Sequence, residues 1–310
     1  MSKPEIVHKT VLLHEAIDGL NLDGKPVKDL VVVDATFGGG GHTRELCKRH
    51  KHVRVVAIDN DASTWTRVHD TFETCNISFH NTNFAELDTA LAKEGIEAVD
   101  GIIFDLGLSS DQLEASGRGF SFQKDEPLVM TMKVHPTVED LTAYDVVNEW
   151  SEESLAHVIR GYGEERFSKR IAKAIVEARA ESPIETTFDL VQIIEHAVPA
   201  AYRRGRPHFA TRTFQAIRLA VNDELNKLSE GLLKGFSALK AGGRMSVISF
   251  HSLEDRIVKR FFIQKEKEGV GKVINKKVIV PSASEVKSNP RARSAKLRII
   301  EKISAQGGSA

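Results

Sequence analysis

The stretch Val31-Val-Val-Asp34-Ala-Thr-Phe-Gly38-Gly-Gly-Gly41-His42 limits the fold more than any other part of this chain. A β-branched apolar run ends in an acid and then in four glycines. That pattern is a buried parallel strand entering a tight turn where backbone comes close to a ligand. Helical residues follow from Thr43 to Lys48, so the unit reads strand, glycine loop, helix. It sets backbone N–H groups and a positive helix end at the carboxyl edge of a sheet, where doubly wound folds bind nucleotide-like cofactors.

Further strand-like runs occur at Leu30–Ala35, Val53–Ile58, Ile77–His80, Gly101–Leu106 and Arg244–Phe250, with helical periodicity at Ala62–Thr74 and Leu87–Lys93 between the early ones. This alternation predicts a parallel sheet covered by helices on both faces. Leu225, Leu228, Leu232, Phe236 and Leu239 have helical spacing, and Gly242-Gly243 is expected to end that helix. Residues 107–243 are too many for one crossover. They carry helix signals at Val138–Val147, Glu152–Arg160, Glu164–Ala180 and Phe188–Ala197, with Ser151 and Thr187 as N-caps. The expected plan is a discontinuous sheet domain, 1–110 and 208–310, with a helical subdomain inserted at 111–207.

The glycine spacing fits an NAD site poorly, because Thr43 stands where a third small residue belongs. Asp34 before the glycines suits S-adenosylmethionine, where a carboxylate can face the sulfonium or the ammonium. Asp59, ending the second strand, can accept ribose hydroxyls in either cofactor. Phe84 can cover an adenine face or pack in the core. The fourth strand decides. It ends in Asp105-Leu-Gly-Leu-Ser109-Ser110, an acid, a glycine turn and two hydroxyls where amino-methyltransferases place a short polar motif. A dehydrogenase has no comparable use for it.

Forty-three basic and 43 acidic residues cancel, so any nucleic-acid contact must come from local patches. Two stand out: Arg203, Arg204, Arg206 and Arg212, and Arg291, Arg293, Lys296 and Arg298. Cys47 and Cys75 are too few for a metal set and read as small buried hydrophobes in a reducing compartment. The N-terminus lacks a leader pattern and no apolar run is long enough to span a bilayer, which makes the cytoplasm the expected location.

With these motifs in place, the chain resembles the bacterial 16S rRNA (cytosine-N4)-methyltransferase (RsmH/MraW) family from about His8 to Arg298. The matching blocks are His8-Lys-Thr-Val-Leu-Leu-His-Glu15, the Asp34–His42 loop, Asp105-Leu-Gly-Leu-Ser-Ser-Asp-Gln112, Arg118-Gly-Phe-Ser-Phe122 and Tyr162-Gly-Glu-Glu-Arg-Phe167. Ala210-Thr-Arg-Thr-Phe-Gln215, Phe250-His-Ser-Leu-Glu-Asp-Arg256 and Asn289-Pro-Arg-Ala-Arg-Ser-Ala-Lys-Leu-Arg298 complete the series. Val129 and Thr131 stand where the family has Asp and Arg, and Phe209 where it has Pro. The resemblance implies a Rossmann-like S-adenosylmethionine-dependent methyltransferase, with cofactor contacts at Gly40, Gly41, His42, Asp59, Phe84, Asp105 and Gln112. It implies an insert that helps recognise RNA and a decoding-region cytidine of 16S rRNA in the small ribosomal subunit as substrate, and it is compatible with a homodimer.

Attack by N4 needs acceptors for its protons, and Asp105, Ser109 and Ser110 are the candidates, with Asp105 equally readable as a cofactor anchor. Phe120, Phe122 or Phe250 are candidates to stack on an extruded base. His251 reads as a base, an rRNA contact or, by slight preference, a structural partner of Glu254 or Asp255. The arginines read as phosphate clamps. An NAD-linked oxidoreductase and a noncatalytic ribosome-assembly factor are the competing readings.

Overall fold

The computed structural model describes residues 9–25, 30–108, 112–113, 116–134 and 136–304. The chain forms two compact units, Met1–Gly107 with Leu225–Ala310, and Leu108–Glu224.

The first unit is built on a seven-stranded sheet: β1 (Val31–Asp34), β2 (Arg54–Asp59), β3 (Asn76–Asn81), β4 (Val99–Asp105), β5 (Leu239–Ser249), β6 (Gly271–Val273) and β7 (Lys296–Lys302). Their spatial order is β3-β2-β1-β4-β5-β7-β6. The first five run parallel; β7 is antiparallel to both β5 and β6. The chain winds outward from β1 to β3 and then returns to lay β4 beside β1. That reversal opens a crevice at the carboxyl ends of β1 and β4, the place where open α/β sheets take ligands.

Alternation along the strands divides the core between the two faces. Val31, Val33, Val56, Ile58, Ile102 and Phe104 face one layer, and Val32, Val55 and Ile103 the other. Helices α1 (Leu13–Gly19) and α2 (Gly41–Arg49) supply Ile17 and Leu46 to the second layer. Helix α3 (Ala62–Val68) follows β2, and α4 (Leu87–Lys93) brings Leu87 and Leu91 to the first layer.

The second unit is helical. It contains α5 (Ala143–Glu149), α6 (Glu152–Gly161), α7 (Ser168–Glu181), α8 (Thr187–Ala197), α9 (Ala200–Arg203) and α10 (Thr211–Asn222). Val146, Leu155, Ile159, Ile171, Ile175, Leu190 and Ile194 recur at helical spacing and close on one core. Ser151 caps α6, accepting the Ser154 N–H at 3.1 Å. The cap of α8 is Thr186 rather than Thr187, in a reciprocal capping box with Asp189. Thr187 is buried and donates its hydroxyl to the Lys124 carbonyl at 2.6 Å.

Three further features depart from the sequence expectation. Helix α10, expected in the sheet domain, sends Phe214 and Ile217 into the insert core and belongs to the second unit. Gly242-Gly243 does not end the helix α11 (Glu224–Ala238); it lies inside β5, where the register against β4 shifts between Val99 and Gly101. Cys47 and Cys75, expected as separate thiols, are joined as a disulfide with Cα atoms 5.7 Å apart. Cys47 on α2, packed against the second core layer, meets Cys75 in the turn before β3. The chain closes with α12 (Ser252–Lys267) and α13 (Ala283–Ser288) around β6 and β7. Among the described residues, no helix is long and apolar enough to cross a membrane.

Candidate active site

Asp34, Asp59, Asp105 and Ser249 are the last residues of β1, β2, β4 and β5, so parallel pairing alone lines them along one sheet edge. Between the first three lies the glycine loop. Gly38 and Gly40 have φ of 51° and 69°, in the left-handed region that favours glycine. Gly40 is doubly constrained, because a Cβ there would come within 2.6 Å of Phe72 and 2.8 Å of Phe37. Phe37, Trp65, Phe72 and Phe79 pack behind the loop, with Trp65 stacked on Phe79 at 5.3 Å.

Each acid has its own task in this edge. Asp34 is buried and accepts the Thr43 hydroxyl at 2.6 Å, tying the end of β1 to the first turn of α2. It therefore holds the loop from inside rather than presenting a carboxylate to a ligand. Asp59 accepts the Gly38 N–H through Oδ2 at 2.7 Å and the Asp61 N–H through Oδ1 at 2.8 Å. Each oxygen keeps a further lone pair, which suits a pair of ribose hydroxyls. Asp105 donates its backbone N–H to Thr36 Oγ1 at 2.6 Å. Its Oδ2 lies 3.8 Å from Nδ1 of the buried His42, and its buried Oδ1 has no hydrogen-bond partner among the described residues.

Burial pushes the carboxyls of Asp34 and Asp59 up to about 6. It raises Asp105 well above the carboxylate range, helped by the negative charges of Asp34 and Glu254. An orphaned carboxylate oxygen among acids that resist ionisation is an environment that a cation relieves. The cationic sulfonium and ammonium of S-adenosylmethionine fit that requirement.

Phe84 opens the short 3-10 turn after β3 and is fixed edge-on to Phe104 at 5.7 Å. Gly231 on α11 leaves room for its ring, since a Cβ there would stand 2.7 Å from Phe84. At the end of β5, Glu254 accepts the N–H groups of Phe250 at 2.9 Å and His251 at 3.2 Å. His251 N-caps α12 and its Nε2 lies 3.2 Å from Glu254 Oε1, which is the structural arrangement. The sequence offers Glu254 as a structural partner of His251, and the contact is present, with His251-Ser-Leu-Glu254 at capping-box spacing; the roles of Thr36 and Thr43, which flank the glycines, are not readable from spacing.

Ser109 and Ser110 lie outside the described residues. Gln112 is buried in the second unit, where its carbonyl accepts the Ser116 hydroxyl at 2.6 Å. In that unit Phe120 and Phe209 are buried and Phe122 stacks on His208 at 4.7 Å. Thr131 is buried as well, and its carbonyl accepts from Arg118 at 3.1 Å. The predicted arginines differ in what they do. Arg203 reaches Glu195 at 3.4 Å and Arg212 donates to the Glu164 carbonyl at 3.2 Å, while Arg204 and Arg206 are exposed. Arg291 and Arg293 sit on the turn Pro290–Ser294 just before β7. Lys296 opens β7 opposite Ser249, so this turn stands at the same sheet edge as Asp105. Arg298 is spent on a two-pronged pair with Asp255 at 2.7 and 3.2 Å.

A sheet of this order, with a glycine loop after β1 and acids ending β1, β2 and β4, defines a methyltransferase that takes its methyl group from S-adenosylmethionine. The chain matches the MraW methylase family across residues 5–303. A protein named Ribosomal RNA small subunit methyltransferase H from Limosilactobacillus fermentum (strain NBRC 3956 / LMG 18251) is 44% identical, the alignment covering 96% of this chain and 99% of the relative. A protein of the same name from Clostridium botulinum (strain Kyoto / Type A2) is 45% identical, over 96% of this chain and 100% of the relative. The chain belongs to the MraW methylase family, and the oxidoreductase reading falls with that membership.

Proposed function

We propose that this protein methylates the exocyclic N4 of a cytidine in the decoding region of 16S rRNA, in the cytoplasm and within the small ribosomal subunit. The observation that carries the reading is Asp105, a half-buried acid at the end of β4 whose buried Oδ1 has no hydrogen-bond partner among the described residues. S-adenosylmethionine supplies an electrophilic methyl group and a positive charge. That charge opposes the burial and the neighbouring acids that raise the Asp105 carboxyl, and so favours its ionised, proton-accepting form. Asp105 then holds an N4–H, draws the nitrogen lone pair out of conjugation and takes the proton as the N4–methyl bond forms. Ser109 and Ser110 are the second candidates for contact with N4.

Asp59 holds the ribose, Gly40, Gly41 and His42 hold the methionine end, and Phe84 covers the adenine; Gln112 is an additional cofactor contact. Methylation at ring carbon would require a cysteine nucleophile at the sheet edge, whereas Cys47 lies in α2 and Cys75 in the turn before β3, neither in a candidate catalytic loop. The insert and the arginines at 203, 204, 206, 212, 291 and 293 bind rRNA. Of these, Arg203 and Arg212 also contact Glu195 and the Glu164 carbonyl within the fold. The protein works as a monomer or a homodimer, which sedimentation distinguishes.

Unmodified 16S rRNA and unmodified small subunits, each incubated with the protein and methyl-labelled S-adenosylmethionine, test the reading. Label in N4-methylcytidine is the expected product. Label only in a ring-methylated base, or none where a relative is active, would overturn it and favour a noncatalytic assembly role.

A further inference from the structure

Helix α12 starts at Ser252, three residues beyond β5, and so leaves from the edge that carries Asp105. Its charges are sorted by sign. The acids are consumed by the fold: Glu254 is buried over the Phe250 and His251 N–H groups, and Asp255 pairs with Arg298 and Lys296. Glu266 accepts the Val273 N–H at 3.0 Å, and the neighbouring Glu268 takes Lys265 at 2.8 Å. The bases face outward. Arg256, Lys259, Arg260 and Lys267 are all exposed, with exposed Ile263 among them.

At 100° per residue, Arg256, Arg260, Ile263 and Lys267 fall within a sector of roughly 60°, bordered by Lys259. The line from Arg256 to Lys267 is ~16 Å long. In a chain of zero net charge, such segregation creates a local positive field that composition hides.

We propose that this face of α12 is a phosphate-binding ridge that guides the rRNA strand flanking the target cytidine along the cofactor-bearing unit. The inference rests on the rRNA methyltransferase reading and deepens it. Its occupant is a polyanion because the sector formed by Arg256, Arg260, Ile263 and Lys267 presents cations and contains no acid, and the ridge starts at the edge where the base must meet the methyl donor. Arg291 and Arg293, at that same edge, extend it: Asp255 ties the first turn of α12 to Lys296 and Arg298 of β7. RNA recognition is then shared between the helical unit and the catalytic unit.

The test is the salt dependence of binding to unmodified 16S rRNA, in whichever form, free or assembled, the wild type methylates. The double variant Lys259→Gln/Arg260→Gln is compared with Lys51→Gln/Lys93→Gln, which removes the same charge beside the starts of β2 and β4, at the opposite sheet edge. For single-stranded contacts the ridge variant should lower the slope of log K against log salt by about 1.4, near 0.7 for each lost phosphate contact. KM for RNA should rise with it. S-adenosylhomocysteine affinity and melting temperature should match the wild type, showing an intact fold. An unchanged slope, or an equal loss in the control variant, would overturn the ridge while leaving the methyltransferase reading in place. Absence of both RNA binding and methylation in the wild type would overturn both.

Discussion

Where β1 and β4 begin, Asp100 accepts the Val31 N–H at 3.0 Å and the Lys240 ammonium at 2.7 Å, while Lys25 donates to the Asp100 and Gly242 carbonyls. Arg244 and Glu301 close the same edge at 2.7 Å. Where these strands end, Asp34, Asp59 and Asp105 gather with no Lys or Arg paired to them in the described residues. The starting edge neutralises its own charge and stabilises the protein. The finishing edge leaves acids uncompensated, an environment suited to a cationic ligand. The contrast locates function by what the fold leaves undone.

The strongest way to break this contrast is Asp105→Asn. If Asp105 takes the N4 proton, turnover should fall by about 10²–10⁴-fold with little loss of S-adenosylhomocysteine affinity, measured by single-turnover kinetics and calorimetry. Equal losses in both would mark it as an anchor.

The starting edge should respond in stability instead. Asp100→Ala strands a buried N–H and an ammonium, and urea unfolding should show a loss of about 1–3 kcal/mol with turnover per folded molecule unchanged. Loss of turnover would show that the two edges are coupled.

A pH experiment sharpens the comparison. A carboxyl raised in the folded state contributes stability that is full below its unfolded value near 3.9 and is lost as pH rises toward its folded value. Ligand-free Asp105→Asn should therefore melt above wild type at pH 7.5, and the gap should narrow as pH falls toward 4. By the same linkage, S-adenosylmethionine binding at pH 6 should release protons, seen as a dependence of the binding heat on buffer ionisation enthalpy. Proton uptake would contradict the assignment. The smallest effect lies in the insert: Thr186→Ala removes one cap of α8 and should cost about 1 kcal/mol with cofactor affinity unaltered.

Much of the sheet unit is legible in the sequence because parallel strands are buried on both faces and read as apolar runs. Val31–Val33 and Ile102–Phe104 show this directly. Strand β7 is not legible that way. Lys296-Leu-Arg-Ile-Ile-Glu-Lys302 is a half-buried antiparallel strand, and its charges mask it; β6 has only three residues. The insert's far border lies beyond the position the sequence suggests, because an amphipathic helix such as α10 reveals its apolar face but not the core that receives it. The cysteine pair was equally hidden, since 28 residues of sequence separate two side chains that the sheet brings side by side. In the site, residue types pointed to Asp59 and Asp105. The inward role of Asp34 depends on one hydroxyl, from Thr43, that spacing does not orient.

The glycine loop is fastened at Thr43–Asp34, Gly38–Asp59, Asp61–Asp59 and Asp105–Thr36, all within the chain itself. A ligand arriving there meets backbone that has already surrendered its conformational freedom during folding. Little ordering entropy is then left to charge against binding, because the loop is held by the fold before any ligand arrives.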